Sequence, residues 1–222
     1  MRVRSSLSRL LLPAAALALL AGCATTAPVA APEVMQVREQ ISARIPARTD
    51  DRQGWAADIQ AALHAQAIAP TLENICSVLA VIEQESGYQA DPVVDGLAAL
   101  SRRELERRAR AKRIPQLALG SALKVQSLDG RSYAQRLDSV RTEGQLSEMY
   151  EEVIGRVPMG SRLLGGHNPV QTGGAMQVSI AFADARLDNY PYPLQGRSAR
   201  AEVFTRRGGV YFGIAHLLGY QT

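Results

Sequence analysis

Cysteine and histidine are scarce in this chain of 222 residues, and lasting positive charge is scarce with them. Each scarcity removes a class of function. The cysteines are Cys23 and Cys76, so no intramolecular disulfide forms if Cys23 is chemically modified. His64, His167 and His216 are too scattered for a metal motif, and no spaced Cys/His set or zinc-protease signature accompanies them. No metal and no cofactor are expected. The Gly-x-Ser-x-Gly elbow is also missing, which sets aside Ser86 with a distant histidine as a hydrolase pair. Repeats are absent, as is any strict apolar alternation long enough to define a strand. The formal charge of +4 falls to about +1 once Arg2, Arg4 and Arg9 at the extreme N-terminus are set aside. Nucleic-acid binding, which needs a persistent positive surface, loses its support.

Those three arginines precede an apolar run from Leu10 to Ala21, and the small residues Ala21 and Gly22 come directly before Cys23. The pattern is a secretory signal over 1–22, too short and wrongly flanked for a transmembrane span. Leu20-Ala21-Gly22-Cys23 resembles the bacterial lipobox, whose cysteine carries lipid in the mature chain. The alternative is ordinary signal removal among Ala24 to Ala31. Ala24, rather than Asp, follows the cysteine, and the resemblance then implies the outer membrane. Residues 23–33 form the lipidated cysteine and an uncharged Ala/Thr/Pro tether. Cys76, in Ile75-Cys76-Ser77-Val78, is expected to be a buried small hydrophobe rather than a reactive thiol.

About 190 residues remain, enough for one domain with a core. Helical spacing recurs through them. Val34, Val37, Ile41 and Ile45 share one face, and Trp55, Ile59 and Leu63 share another after Asp50-Asp51. Thr71 is placed to cap a helix running to Ser86, ended by Gly87. Ser101 to Glu104 and Thr142 to Gln145 have the form of capping boxes, with Ile114-Pro115 and Pro158 as stops. The segment 165–174 reads as a loop, Met176 to Ala183 as a helix, and Arg206 to Gly209 as a break before a last apolar face at Val210, Ile214, Leu217 and Leu218. The class is mainly α.

One carboxyl stands out. On the 71–86 helix, Ile75, Val78, Leu79 and Ile82 define an apolar arc, and Glu85 falls about 60° from its centre while Glu83 falls about 100° away on the other flank. Glu85 is therefore expected to be the more buried of the two, where partial desolvation raises a carboxyl pKa toward the range of a general acid. A solvated helix-terminal glutamate is the plain alternative. The helix from Ser101 to Arg113 holds seven basic residues against Glu104 and Glu106, a solvated face or one touching anionic wall or lipid groups. Tyr190-Pro191-Tyr192-Pro193 is either a sugar-stacking platform or a stiff aromatic loop packed on the domain.

Val81 to Pro92, with Glu85-Ser86 at its centre, resembles the Glu-Ser motif of soluble lytic transglycosylases, relatives of goose-type lysozyme. Gly174-Ala175-Met176-Gln177-Val178 resembles their second motif, and Arg207 to Tyr220 resembles the helix that follows. Across most of its mature length the chain also resembles an uncharacterised family of Gram-negative lipoproteins assigned to that superfamily. The resemblance implies a lysozyme-like domain over 34–222 with a helical insertion at 88–170. It also implies cleavage of the bond between N-acetylmuramic acid and N-acetylglucosamine to a 1,6-anhydro product, with Glu85 as the single acid/base. Ser86, Gly174, Met176 and Gln177 would serve the sugar subsites, peptidoglycan strands would be the partner, and the membrane would be reached through lipid on Cys23.

Two departures stand beside this resemblance. Glu85 and Gln177 are 92 positions apart, where the enzymes have a short stretch. Their aromatic-Asn-x-Gly motif beyond the last helix has no counterpart here, which implies a C-terminally truncated chain or a site lacking one wall. Three rival readings remain open: a noncatalytic glycan-binding envelope lipoprotein, a purely structural one, and a hydrolytic muramidase with water served by Asp91.

Overall fold

The computed structural model describes residues 31–156 and 168–219, with side chains from Glu33 onward. The signal segment, Cys23, His167, Pro158 and nearly all of the tether lie outside the described residues. Within them the chain is mainly helical, as expected. Ten α-helices are described: α1 (Ala31–Arg44), α2 (Arg52–Ala65), α3 (Leu72–Ser86), α4 (Leu97–Ala111), α5 (Gln116–Leu123), α6 (Tyr133–Ser139), α7 (Glu143–Arg156), α8 (Ile180–Ala185), α9 (Ala199–Val203) and α10 (Arg206–Leu218). A two-stranded antiparallel hairpin, β1 (Thr172–Gly173) and β2 (Val178–Ser179), is the sheet among them.

The helices gather around two cores. The larger is built from α1, α2, α3, the hairpin and α8 to α10, with Ile41, Ile59, Leu63, Ile82 and Phe212 fully buried in it. Helix α10 lies at its centre, packed on α2, α3, α8, α9 and β2. Its first residue bridges to α2: Arg206 Nε donates to Asp58 at 2.5 Å and Nη1 to Asp51 at 2.6 Å. The second core joins Tyr133, Leu137, Val140, Leu146 and Met149 to Val170 and Ile180. Helices α4 to α7 thus wrap apolar side chains of their own and meet the larger core along Ile180 and Phe204.

The base of this excursion is pinned shut. Val93 pairs with Thr142 in an isolated bridge, and Val94 N–H donates to the Arg141 carbonyl at 2.9 Å. Asp91 accepts from the Thr142 hydroxyl at 2.5 Å and from Gly144 N–H at 3.0 Å, placing a carboxylate on the orphan amides at the start of α7. Asp91 is therefore engaged in holding the start of α7.

Local signals fared unevenly. Thr71 caps α3 by accepting from Asn74 N–H at 3.2 Å, and Gly87 ends it at φ 56°, as read. The capping box read at Ser101 to Glu104 is a correction. Helix α4 begins at Leu97, Ser101 is buried in its interior, and Glu104 is taken by Arg107 and Arg108 one turn on. The full capping box is at Ser132 and Gln135. Gly208 and Gly209 lie inside α10, which starts from Thr205, so Arg206 to Gly209 is no break. Met176 to Ala183 is likewise not one helix, because Gly174 (φ 73°) and Gln177 (φ 49°) are left-handed and turn the chain into the hairpin. Cys76 is exposed, not buried, since α3 turns Ile75, Val78, Leu79 and Ile82 to the core and leaves Cys76 outside that arc.

Candidate functional site

The end of α3 is a sharp reversal made by two successive left-handed residues, Gly87 at φ 56° and Tyr88 at φ 62°. A bulky residue in that region is strained, and surrounding contacts must hold it there. Tyr88 is buried, its ring meets Trp55 edge-on at 5.4 Å, and its hydroxyl donates to the Leu79 carbonyl at 3.4 Å. Burial, with the nearby Glu83 charge, pushes its phenol up to about 12. Ser86 is buried too, donating to the Ile82 carbonyl at 2.9 Å. Its hydroxyl is turned back onto the helix rather than outward.

Just before these fixed residues, Glu85 is exposed and has no hydrogen bond or ion pair among the described residues. Glu83 is the half-buried one, paired with Arg48, and its Oε2 is buried without a partner. The order of burial expected from the helical wheel is thus reversed. Arg48, in the turn before α2, reaches over Glu83, while nothing described covers Glu85.

The second motif sits on α10. Gly174 packs so tightly that a Cβ there would lie 2.1 Å from the Val203 carbonyl oxygen. Met176 is buried, and a Cβ on Gly213 would fall 2.4 Å from its sulfur. Gly209 would meet Ala175 N at 3.0 Å. The glycines of α10 therefore let the hairpin loop lie against the helix backbone. Of the residues expected at sugar subsites, Ser86, Gly174 and Met176 face inward and support the surface from behind. Gln177 is only half-buried, and its side chain is held at both ends of the amide. Thr172 Oγ1 donates to its Oε1 at 3.2 Å, and its Nε2 donates to Glu143 Oε2 at 3.2 Å. Glu143, at the first turn of α7, was read only as part of a cap; nothing in its local sequence marks it as a partner of a residue 34 positions on.

Beneath α10 lies a charge cluster that the sequence did not reveal. Glu202 is fully buried. It accepts from Tyr190 hydroxyl at 2.5 Å, Arg197 Nε at 2.9 Å and Arg207 Nη2 at 2.7 Å. Burial alone would raise its pKa, but the bonds from Tyr190 and Arg207, and the charges of Arg207 and Arg197, outweigh that and hold it below 4.5. Tyr190 stacks on Phe212 at 5.0 Å, and Arg207 lies over Tyr192 at 4.8 Å, so the Tyr-Pro-Tyr-Pro segment is an aromatic loop packed on the domain. A depressed folded pKa contributes stability that is present above the unfolded value and lost as pH falls through the folded one. The melting temperature is therefore expected to drop as pH is lowered below 4.5, and to drop less steeply in Glu202→Gln. Parallel curves for the two proteins from pH 7 to 3 would remove Glu202 as the cause.

The fold and site together define a helical domain in which a Glu-Ser helix end and a glycine-tight hairpin share one central helix. Residues 48–222 match a family described as a protein of unknown function, DUF1615, and the chain belongs to that family. It is also 49% identical over 208 residues to the uncharacterized protein YaiW of Escherichia coli (strain K12). That match covers 92% of this chain and 57% of YaiW. No solved structure matches the chain.

Proposed function

We propose that this protein is a peptidoglycan lytic transglycosylase-like enzyme with Glu85 as its single acid/base. The observation that carries the reading is convergence. Ile82 and Tyr88 flanking Glu85, Ala175, Met176 and Val178 of the second motif, and Val210, Phe212, Ile214 and Leu218 of the third belong to one buried core despite their separation in sequence. In the proposed reaction Glu85 protonates the oxygen between N-acetylmuramic acid and N-acetylglucosamine, breaking the C1–O bond. Its carboxylate then takes the proton of the muramyl C6 hydroxyl as that oxygen closes onto C1, giving the 1,6-anhydro sugar. The nucleophile belongs to the substrate, so no second carboxylate is required, unlike the two-carboxylate scheme of most glycosidases. Glu85 is open in the free protein, and a glycan laid across it would exclude water from the reacting bond. Gln177, fixed by Thr172 and Glu143, offers one remaining amide hydrogen to a sugar. Lipidation of Cys23 and attachment to the periplasmic face of the outer membrane complete the proposal, on the Leu20-Ala21-Gly22-Cys23 pattern.

The exposure of Glu85 favours one other reading, a glycan-binding surface without catalysis. Mass spectrometry of muropeptides released from purified sacculi separates the two, using a soluble form that begins at Ala24 beside Glu85→Gln. Anhydro-muropeptides are expected from the parent, with at least a ~100-fold loss in the variant, the scale of a missing acid/base. Reducing-end products point to hydrolysis. No products from a folded parent that still binds sacculi would leave the binding reading.

A further inference from the structure

Helix α5 is Gln116-Leu117-Ala118-Leu119-Gly120-Ser121-Ala122-Leu123, without a single charge, and none of its residues is buried. A helix that is apolar around much of its circumference normally sits inside a core or a membrane. Here only its inner side is used: Leu119, Ala122 and Leu123 roof an apolar cavity of about 330 Å³. On the outer side Leu117 is 84% exposed, and Leu128 just beyond the helix is 82% exposed. Val125 and Ile114 are exposed alongside them. Scattered surface leucines are ordinary, but four exposed large apolar side chains within residues 114–128 mark an interaction surface.

The charge beside this surface identifies its occupant. Along α4 four of the five arginines are answered by acids, Arg107 and Arg108 by Glu104, Arg102 by Asp138 and Arg110 by Glu106, while exposed Arg103 has no ion pair among the described residues. From the α4–α5 turn to the end of α5 no described cation is paired. Lys112, Arg113 and Lys124 are exposed and have no ion pair among the described residues. Lys124 lies seven residues after Leu117, so cation and leucine share one helical face. We propose that α5 and its two flanking turns, residues 112–128, are a docking surface for an anionic lipid bilayer, with Leu117 and Leu128 entering the acyl boundary and Lys112, Arg113 and Lys124 meeting lipid phosphates. Exposed leucines beside unpaired cations are what interfacial insertion requires. A glycan offers no apolar layer to receive the leucines, and a second copy would set the three cations against their equals. The surface is a separate feature from Glu85 and from any lipid on Cys23.

The test places an indole on this surface. The full chain with Leu117→Trp is mixed with brominated-lipid vesicles containing phosphatidylglycerol, with the parent chain, whose lone Trp55 is buried, as baseline. The indole at 117 is expected to shift to the blue and be quenched, while one at exposed Leu72 (Leu72→Trp) is not. Reversing its charges (Lys112→Glu, Arg113→Glu, Lys124→Glu) should weaken binding read at 117 by at least ~100-fold. Circular dichroism checks that each variant is folded. A chain bound to vesicles through its N-terminal segment with the 117 indole unquenched overturns the proposal. So does equal quenching at 72 and 117, equal quenching in vesicles of phosphatidylcholine alone, or a blue shift that grows with protein concentration without vesicles.

Discussion

Glu202→Ala is expected to lose about 3–5 kcal/mol of folding stability, the cost of breaking a buried ion pair from one side. The substitution takes the buried carboxylate from the partly exposed Arg197 and Arg207 and removes the acceptor of the Tyr190 hydroxyl. Total stabilities of domains are about 5–15 kcal/mol, so the variant should be close to unfolding at physiological temperature. Glu202→Gln keeps the shape and one acceptor oxygen, and should lose less. Urea unfolding followed by circular dichroism measures both. A loss under about 1 kcal/mol for the alanine variant would mean that water or relaxation replaces the carboxylate, and the cluster would then not be what seats α9 and the Tyr190 loop on α10.

The second large effect lies in the hairpin. Gly174→Ala places a methyl 2.1 Å from the Val203 carbonyl oxygen and 3.1 Å from its carbon, at a φ of 73°. Left-handed strain of about 1–2 kcal/mol adds to an overpacking cost of about 1–3 kcal/mol, so a loss of about 3 kcal/mol is expected. The fitting comparison is Gly87→Ala, also left-handed at φ 56° but with nothing within 4 Å of the new methyl. It should lose only the backbone share, about 1 kcal/mol. Equal losses at the two positions would show that backbone conformation, not the close approach to Val203, is what glycine supplies at 174. Because Gln177 closes the same turn by donating its N–H to the Gly174 carbonyl at 3.2 Å, the alanine variant should also disturb the Gln177 side chain.

How much of this was legible beforehand depends on the range over which each feature is decided. Helix α3 was readable from Thr71 to Gly87 because its cap, its apolar arc and its stop all act within one turn of where they stand. Helix α5 was not foreseen, since eight residues with no cap signal and no buried side chain give periodicity nothing to register. The two glycines read as a break are explained only by the neighbours they admit: Gly208 meets the Glu202 carbonyl and Gly209 the Val203 carbonyl, contacts made across a turn in space. At the site, Glu85 and Gln177 were named from the sequence, yet the wheel misordered Glu83 and Glu85. A wheel knows the helix it is drawn on, whereas Arg48 arrives from another element. Glu143 escaped notice for the same reason, its meeting with Gln177 being decided by how α7 is seated.

The pinch at Val93 and Thr142 has a consequence for how the chain finds its shape. Bringing the segments that carry Glu85 and Gln177 onto one core from an open chain means closing a loop of 92 residues. Once the bridge and the Asp91 contacts have formed, roughly half of that length no longer has to be searched, because α4 to α6 hang outside the closed ring. Each halving of a flexible loop recovers only about 0.6 kcal/mol of closure entropy, a small term in the final balance. In rate it matters more, since distant contacts are what slow folding. The pinch thus shortens the search that brings the two motifs together.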